Sequence, residues 1–365
     1  MKAQEARGRQ PVGRRVRAHE TVPQRYQPPG QRRRVFRTAL RVTAVTVWLA
    51  LWLAAVAAAA TALVDIDVDV PGWVASAGAG AVTVLHTVAL SRRVGSRTVA
   101  WSLLVTVLVA GGLVWGETWA LSAVAVLCAV TSAVAAVLIT RPAATVLGMV
   151  VELVVALLLA AAGGVAVAAI NAPLEPERFN LLVVGLALAV AIVVVWQLGA
   201  GLHGLGRRGL VLIVGFAVAV TALGVYTEVL TRYGSATLLD PYEGATSWAR
   251  DRLGGVPRPV EALLGIPVLI WGVATRSQRR QGWWMCAFGV VATGAVATTL
   301  AGPRLDPVYA AISLGYSALV GLVLGLVVLL VDRALTRARR SGRRAARTTN
   351  EVATRPEPAR THPLR

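Results

Sequence analysis

"HGLGRRG", residues 203–209, carries Gly204, Gly206 and Gly209 at the spacing G-x-G-x-x-G, and its two readings lead to two folds. A dinucleotide loop needs a strand before it, a soluble helix after it and an acid about twenty residues on. The next residues are instead "LVLIVGFAVAVTALGVY", 210–226, an apolar run without a charge. The stretch therefore reads as a turn between two membrane spans. Its paired arginines, Arg207 and Arg208, are candidates to hold an anionic lipid phosphate at that face.

Composition widens the same reading to the whole chain. Of 365 residues, 56% are hydrophobic and only 15% charged, whereas soluble domains carry about 25% charged residues. The net charge of +19 is confined to the ends: residues 1–37 hold eleven Lys and Arg against two Glu, and residues 333–365 hold ten Arg against two Glu. Such tails flanking apolar segments are expected to be disordered cytoplasmic anchors drawn to anionic headgroups. Neither interleaves aromatic residues with its charge, so no nucleic acid is expected as a partner. One Lys against 36 Arg, with Ala and Val in excess, points to a GC-rich bacterial genome. The two cysteines, Cys128 and Cys286, lie in apolar runs and match no metal spacing. No cofactor is implied, and no cleavable signal is expected, because the first apolar run comes after a long polar tail.

Apolar runs recur at roughly 39–63, 73–90, 98–116, 118–140, 142–170, 180–201, 209–230, 260–275, 282–301 and 308–331. A span needs about 20 residues, and only helices satisfy their own backbone in lipid as single segments. The expected fold is thus an all-α, polytopic membrane protein of about ten transmembrane helices. Residues 38–332 form the membrane domain between the two tails. With the N-terminus inside, the inner turns "SRRVGSR", "TRPA", "HGLGRRG" and "TRSQRRQG" hold nine Arg and no acid. The outer connections and their flanks, including Glu228 and Glu261, hold twelve acids against six Arg. That alternation places both termini in the cytoplasm of a bacterial plasma membrane. Trp73, Trp115 and Trp119 fall at outer ends, and Trp101, Trp196, Trp271, Trp283 and Trp284 at inner ends, as an aromatic belt does.

Few polar residues interrupt these spans. Glu152, in "GMVVELVVALLL", lies eleven residues past Arg141 and is expected near mid-bilayer. Burying its charge there costs at least about 2.5 kcal/mol, which leaves two roles: proton coupling or substrate contact, and a hydrogen bond to a neighbouring helix. His86 and Gln197 are the nearest relay candidates in type, with a satisfied bundle position as the alternative for each. Gly163 and Gly164 offer a possible break in the helix that carries Glu152. The pairs Gly112 and Gly116, Ser76 and Gly80, and Gly321 and Gly325 keep the spacing that lets helix backbones approach.

The longest outer segment, residues 231–259, contains "DPYEGATSWARDRLGG". Asp240 reads as an N-cap, Pro241 as the first helical position, Glu243 as the capping-box acid and Gly254 as the terminator. With Trp248 on its apolar side, this is expected to be an amphipathic helix on the outer surface, serving as a connector, lid or docking face.

Three function classes remain open, and an enzyme is not the favoured one. A small-solute permease accords with the span count and Glu152, and five plus five spans would place two halves in inverted orientation. A scaffold or assembly partner of a cell-envelope complex accords with the basic tails, the outer helix and the scarcity of buried polar groups. "DIDVDV", with Asp65, Asp67 and Asp69, resembles the first outer loop of multi-span lipid-linked glycosyltransferases. That resemblance implies a catalytic acid among these three, although those families carry a much longer loop with its own helices. As a calcium loop the stretch lacks the central Gly and the bidentate Glu.

Overall fold

The computed structural model describes residues 31–64, 70–198, 236–276, 282–301 and 306–344, with Val211, Gly215 and Val218 as single helical positions. Arg207, Arg208, Asp65, Asp67, Asp69, most of both terminal tails and most of the expected span 209–230 lie outside the described residues. Residues 1–46 and 47–365 form two units, and all helix packing described for this chain is within the second.

Every regular element described is helical. In chain order these are α1 (Gln31–Ala60), α2 (Trp73–Val94), α3 (Thr98–Trp115), α4 (Thr118–Leu138), α5 (Val146–Ile170), α6 (Pro176–Gln197) and α7 (Ala236–Leu253). A π-helical turn (Val260–Gly265) leads into α8 (Ile266–Arg276), and then come α9 (Gly282–Phe288), α10 (Val290–Thr298) and α11 (Pro307–Arg344). Seven segments are long and apolar enough to cross a bilayer: Val42–Ala60, Trp73–Val94, Thr98–Trp115, Thr118–Leu138, Val146–Ile170, Pro176–Gln197 and Pro307–Leu335. This architecture is that of a multi-pass membrane protein.

Turn chemistry closes the helices where it is expected to. Gly95, in "SRRVGSR", adopts φ 72° and donates its N–H to Arg92 O at 3.2 Å, ending α2. Gly254 does the same after α7, with φ 71° and a 3.0 Å bond to Arg250 O. The α7 start differs from expectation. Nothing in "ATLL" breaks a helix, so α7 begins at Ala236, and Asp240 and Glu243 lie within it and not at its cap.

α4 and α5 form the centre: 67% of each apolar window is buried, against 11% for α3. Small residues make this possible. A Cβ on Gly163 of α5 would meet Ser132 Cβ of α4 at 2.4 Å, and one on Gly78 of α2 would meet the α1 backbone at Ala59 N at 2.5 Å. α5 therefore runs unbroken through Gly163 and Gly164, whose use is close packing. Gly321 and Gly325 likewise seat α11 against Ile266 and Ile270 of α8. The peripheral helices turn large apolar side chains outward, among them Leu104, Val107 and Leu108 of α3 and Leu181, Leu182 and Val193 of α6. Contiguous apolar surface on this scale is what lipid covers.

The true interruptions lie in the α8–α10 pair. Pro267 has no N–H and its ring crowds the preceding turn, so the chain widens there, with Ile266 N–H reaching back five residues to Glu261 O. Opposite it, Gly289 splits the expected span 282–301 into α9 and α10. Its N–H bonds Cys286 O at 2.9 Å, and Ala292 N–H bonds Gly289 O at 3.1 Å. The two irregular turns face each other. A Cβ on Gly265 would meet Ala292 Cβ at 2.4 Å, and one on Gly289 would meet Leu269 Cδ1 at 2.9 Å. Trp283 and Trp284 are buried here, a correction to their place in an interfacial belt: α9 turns both inward. Trp73, Trp101, Trp115, Trp119 and Trp196 are exposed at helix ends.

Candidate functional site

At one end of the bundle, polar side chains converge on a single peptide unit. Pro142 disfavours a helical Arg141, so α5 starts at Val146, where the Thr145 side chain accepts from Gly148 N–H at 3.1 Å. Glu152 then sits in the second turn, and helical side chains lean towards the N-terminus. Its Oε2 accepts from Arg141 N–H at 2.8 Å, and the residue is 6% exposed. Glu152 thus reaches the turn after α4. The carbonyl of the same peptide, Thr140 O, accepts from Arg93 at 3.4 Å and from Arg276. Arg93 also donates to Leu138 O at 3.2 Å. Arg276 lies over the Trp283 ring, 4.2 Å from its centroid, and approaches Thr140 Oγ1 at 3.4 Å. Both arginines are buried, although from sequence they are turn charges that set orientation. Their partners are 45 to 136 residues away, and no local pattern signals that.

His86 is a joint between three helices. Trp52 of α1 donates Nε1–H to its Nε2 at 2.9 Å, and its Nδ1 lies 2.9 Å from Ser132 Oγ of α4. An indole nitrogen only donates, so Nε2 accepts and the ring proton is on Nδ1, donated to Ser132. The ring is held neutral in one tautomer, and a second proton would displace Trp52. Ser132→Ala is therefore expected to lower stability by about 1–3 kcal/mol, since it strands a buried N–H. Melting curves of the two proteins in detergent check this. Gln197 is exposed at the end of α6. Glu152, His86 and Gln197 are thus not gathered into one relay.

At the opposite end, a site appears whose residues read in the sequence only as loop charge. Pro257 and Pro259 keep the approach to α8 extended, and α11 catches it with two buried serines one turn apart. Ser313 Oγ accepts Val256 N–H at 3.2 Å, and Ser317 Oγ accepts Arg258 N–H at 2.8 Å. Glu261, on the π-helical turn, is 1% exposed. Its Oε1 accepts from Arg258 at 3.3 Å, and the same guanidinium nitrogen donates to Thr299 Oγ1. Ser317 stands beside the carboxylate, yet Oε2 makes no hydrogen bond among the described residues. Arg258 keeps a 26% exposed side chain. A local signal does exist: an Arg three residues before an acid at a span's edge, with Pro267 beyond.

Two adjoining clefts of 740 and 680 Å³ open at this end, sharing Ala62, Ala168 and Asn171. The second reaches Leu300 and Ala301, next to Thr299. The amphipathic α7 is tied to α11 by Tyr316, whose hydroxyl donates to Leu253 O at 3.1 Å, and by Arg250 over the Tyr309 ring. Trp248 remains 60% exposed on it. Among the described residues no group of His, Cys, Asp and Glu is arranged to hold a metal ion. Comparison with family models, with curated proteins and with solved structures gave no match.

Proposed function

We propose that this chain is a small-solute permease of a bacterial plasma membrane, with both basic tails in the cytoplasm against anionic lipid. One observation carries the reading. Two interrupted helical segments face each other inside the bundle, and one of them bears a buried carboxylate with one oxygen unengaged among the described residues. Transporters build substrate and ion sites on discontinuous helices of this kind, because freed backbone and buried charge there can exchange partners. A rigid scaffold has no need of a half-satisfied carboxylate, whose burial costs stability. On this reading Glu152, Arg93 and Arg276 close the cytoplasmic end, and the clefts form the outer mouth.

The test is uptake of radiolabelled amino acids, sugars and small organic acids into proteoliposomes, measured against protein-free vesicles. Uptake of at least one class is expected. A second reading, an envelope assembly partner, is favoured by the exposed Trp248 on α7. A membrane protein recovered in equal amount from native membranes, with no uptake of any class, would overturn the permease in its favour.

A further inference from the structure

Within that permease reading, we propose that Glu261 and Arg258 form a proton-linked anion site, at which protonation of Glu261 hands Arg258 to a small carboxylate in the neighbouring cleft. Arg258 is the pivot. One nitrogen of its guanidinium serves both Glu261 Oε1 and Thr299 Oγ1, while the side chain keeps 26% of its surface open. A planar guanidinium matches a carboxylate through two parallel hydrogen bonds, so a solute carboxylate competes directly with Glu261 for it.

The proton has a defined place to go. Oε2 of Glu261 is buried, makes no hydrogen bond among the described residues and has the Ser317 side chain beside its carboxylate, so it is the oxygen that takes the proton. The other groups described against the pair are uncharged. α11 contributes Ser313 and Ser317, and the end of α10 contributes Thr299. Asp306 is spent on the Val308 amide at 2.8 Å. Charge balances in both states: the Arg258–Glu261 pair is neutral, and so is Arg258 with one anion beside a protonated Glu261. One proton from solvent accompanies one anion, and in these two states the buried site carries no net charge, which low-dielectric surroundings would penalise.

The cleft that ends at Leu300 and Ala301, next along the chain to Thr299, has 680 Å³, room for a small organic acid, and the carboxylate described on its wall, Glu175, is paired with Arg178 at 3.0 Å. The Thr299 hydroxyl accepts from the Arg258 guanidinium on the side of Leu300 and Ala301 in the chain.

The experiment is calorimetric titration of lactate and succinate into the purified protein in detergent, with phosphate as a third arm. At pH values where free Glu261 is ionised, wild-type affinity is expected to rise by up to about tenfold for each unit of pH lowered, as linkage to one proton requires, and to level off once free Glu261 is protonated. In weakly buffered solution on the alkaline side of that range, where free Glu261 is ionised, one proton should be taken up per lactate. Glu261→Gln, which mimics the protonated acid, should bind with no pH dependence and no proton uptake. Arg258→Gln should weaken binding at least about tenfold.

Binding of phosphate but not of carboxylates would overturn the assigned solute class. Binding without proton uptake in the wild type, or unchanged pH dependence in Glu261→Gln, would overturn the coupling. Absence of binding by folded wild type at every pH would overturn the site. If either variant fails to fold, proton uptake by the wild type decides alone. Binding with proton uptake but without vesicle uptake would leave the site standing and remove the permease.

Discussion

Gly265→Val is expected to cost about 3 kcal/mol or more and to remove transport with it, because overpacking at a backbone contact has no soft neighbour to yield. The new Cβ would lie 2.6 Å from Ala292 N and 2.8 Å from its Cα, and neither can swing away as a long side chain would. Separation of α8 from α10 should result, at the point where the π-helical turn faces the Gly289 turn. Thermal melting in detergent reads the loss. The matching control is Gly185→Ala, where an added Cβ meets nothing within 4 Å, and its melting temperature should be no lower than that of the wild type, since Ala is the better helix former. Equal stability of Gly265→Val and wild type would mean that the two segments are not in contact.

The second large effect concerns the turn after α4. Arg93→Leu and Arg276→Leu should each destabilise by about 2–3 kcal/mol, the range for losing a charged hydrogen-bond partner in a buried setting. Their combination should cost more than the two singles together, by about 1–2 kcal/mol. The reason is that Thr140 O accepts from both arginines: either single change leaves the carbonyl with one donor, and the double change removes both. Strict additivity would show that the two guanidinium groups do not share this acceptor.

Local chemistry is legible from the sequence wherever one residue decides the outcome. Gly95 and Gly254 end their helices because glycine enters the left-handed region at low cost, and the apolar runs place seven long helices within a few residues. What depends on partners far along the chain is not legible. "SRRVGSR" does not reveal that Arg92 is exposed while Arg93 is buried, since that depends on where the end of α4 arrives. Glu152 lies nearer the start of its helix than the run 142–170 suggests, because Pro142 delays the start of α5 to Val146. Gly163 and Gly164 look like a weak point in the sequence, yet Ser132 and Ala297 fill the space their missing side chains leave. Conversely, Glu261 sits in the shortest and least convincing apolar run, where it reads as outer charge. The π-helical turn that buries it comes from Pro267, and the serines that hold its approach come from α11, more than fifty residues later.

Everything functional here rests on which end of the bundle faces the cytoplasm, and cysteine accessibility in intact cells measures it most directly. Cys128 and Cys286 are buried, so they leave the background low. Single cysteines in place of Ser247 on α7 and Ser341 at the far end of α11 are to be exposed to a membrane-impermeant maleimide, before and after permeabilisation. Labelling of Ser247→Cys in intact cells, with Ser341→Cys labelled only after permeabilisation, is the expected pattern. The reverse pattern would put the Glu261 site inside and the arginine tails outside, and would contradict the account.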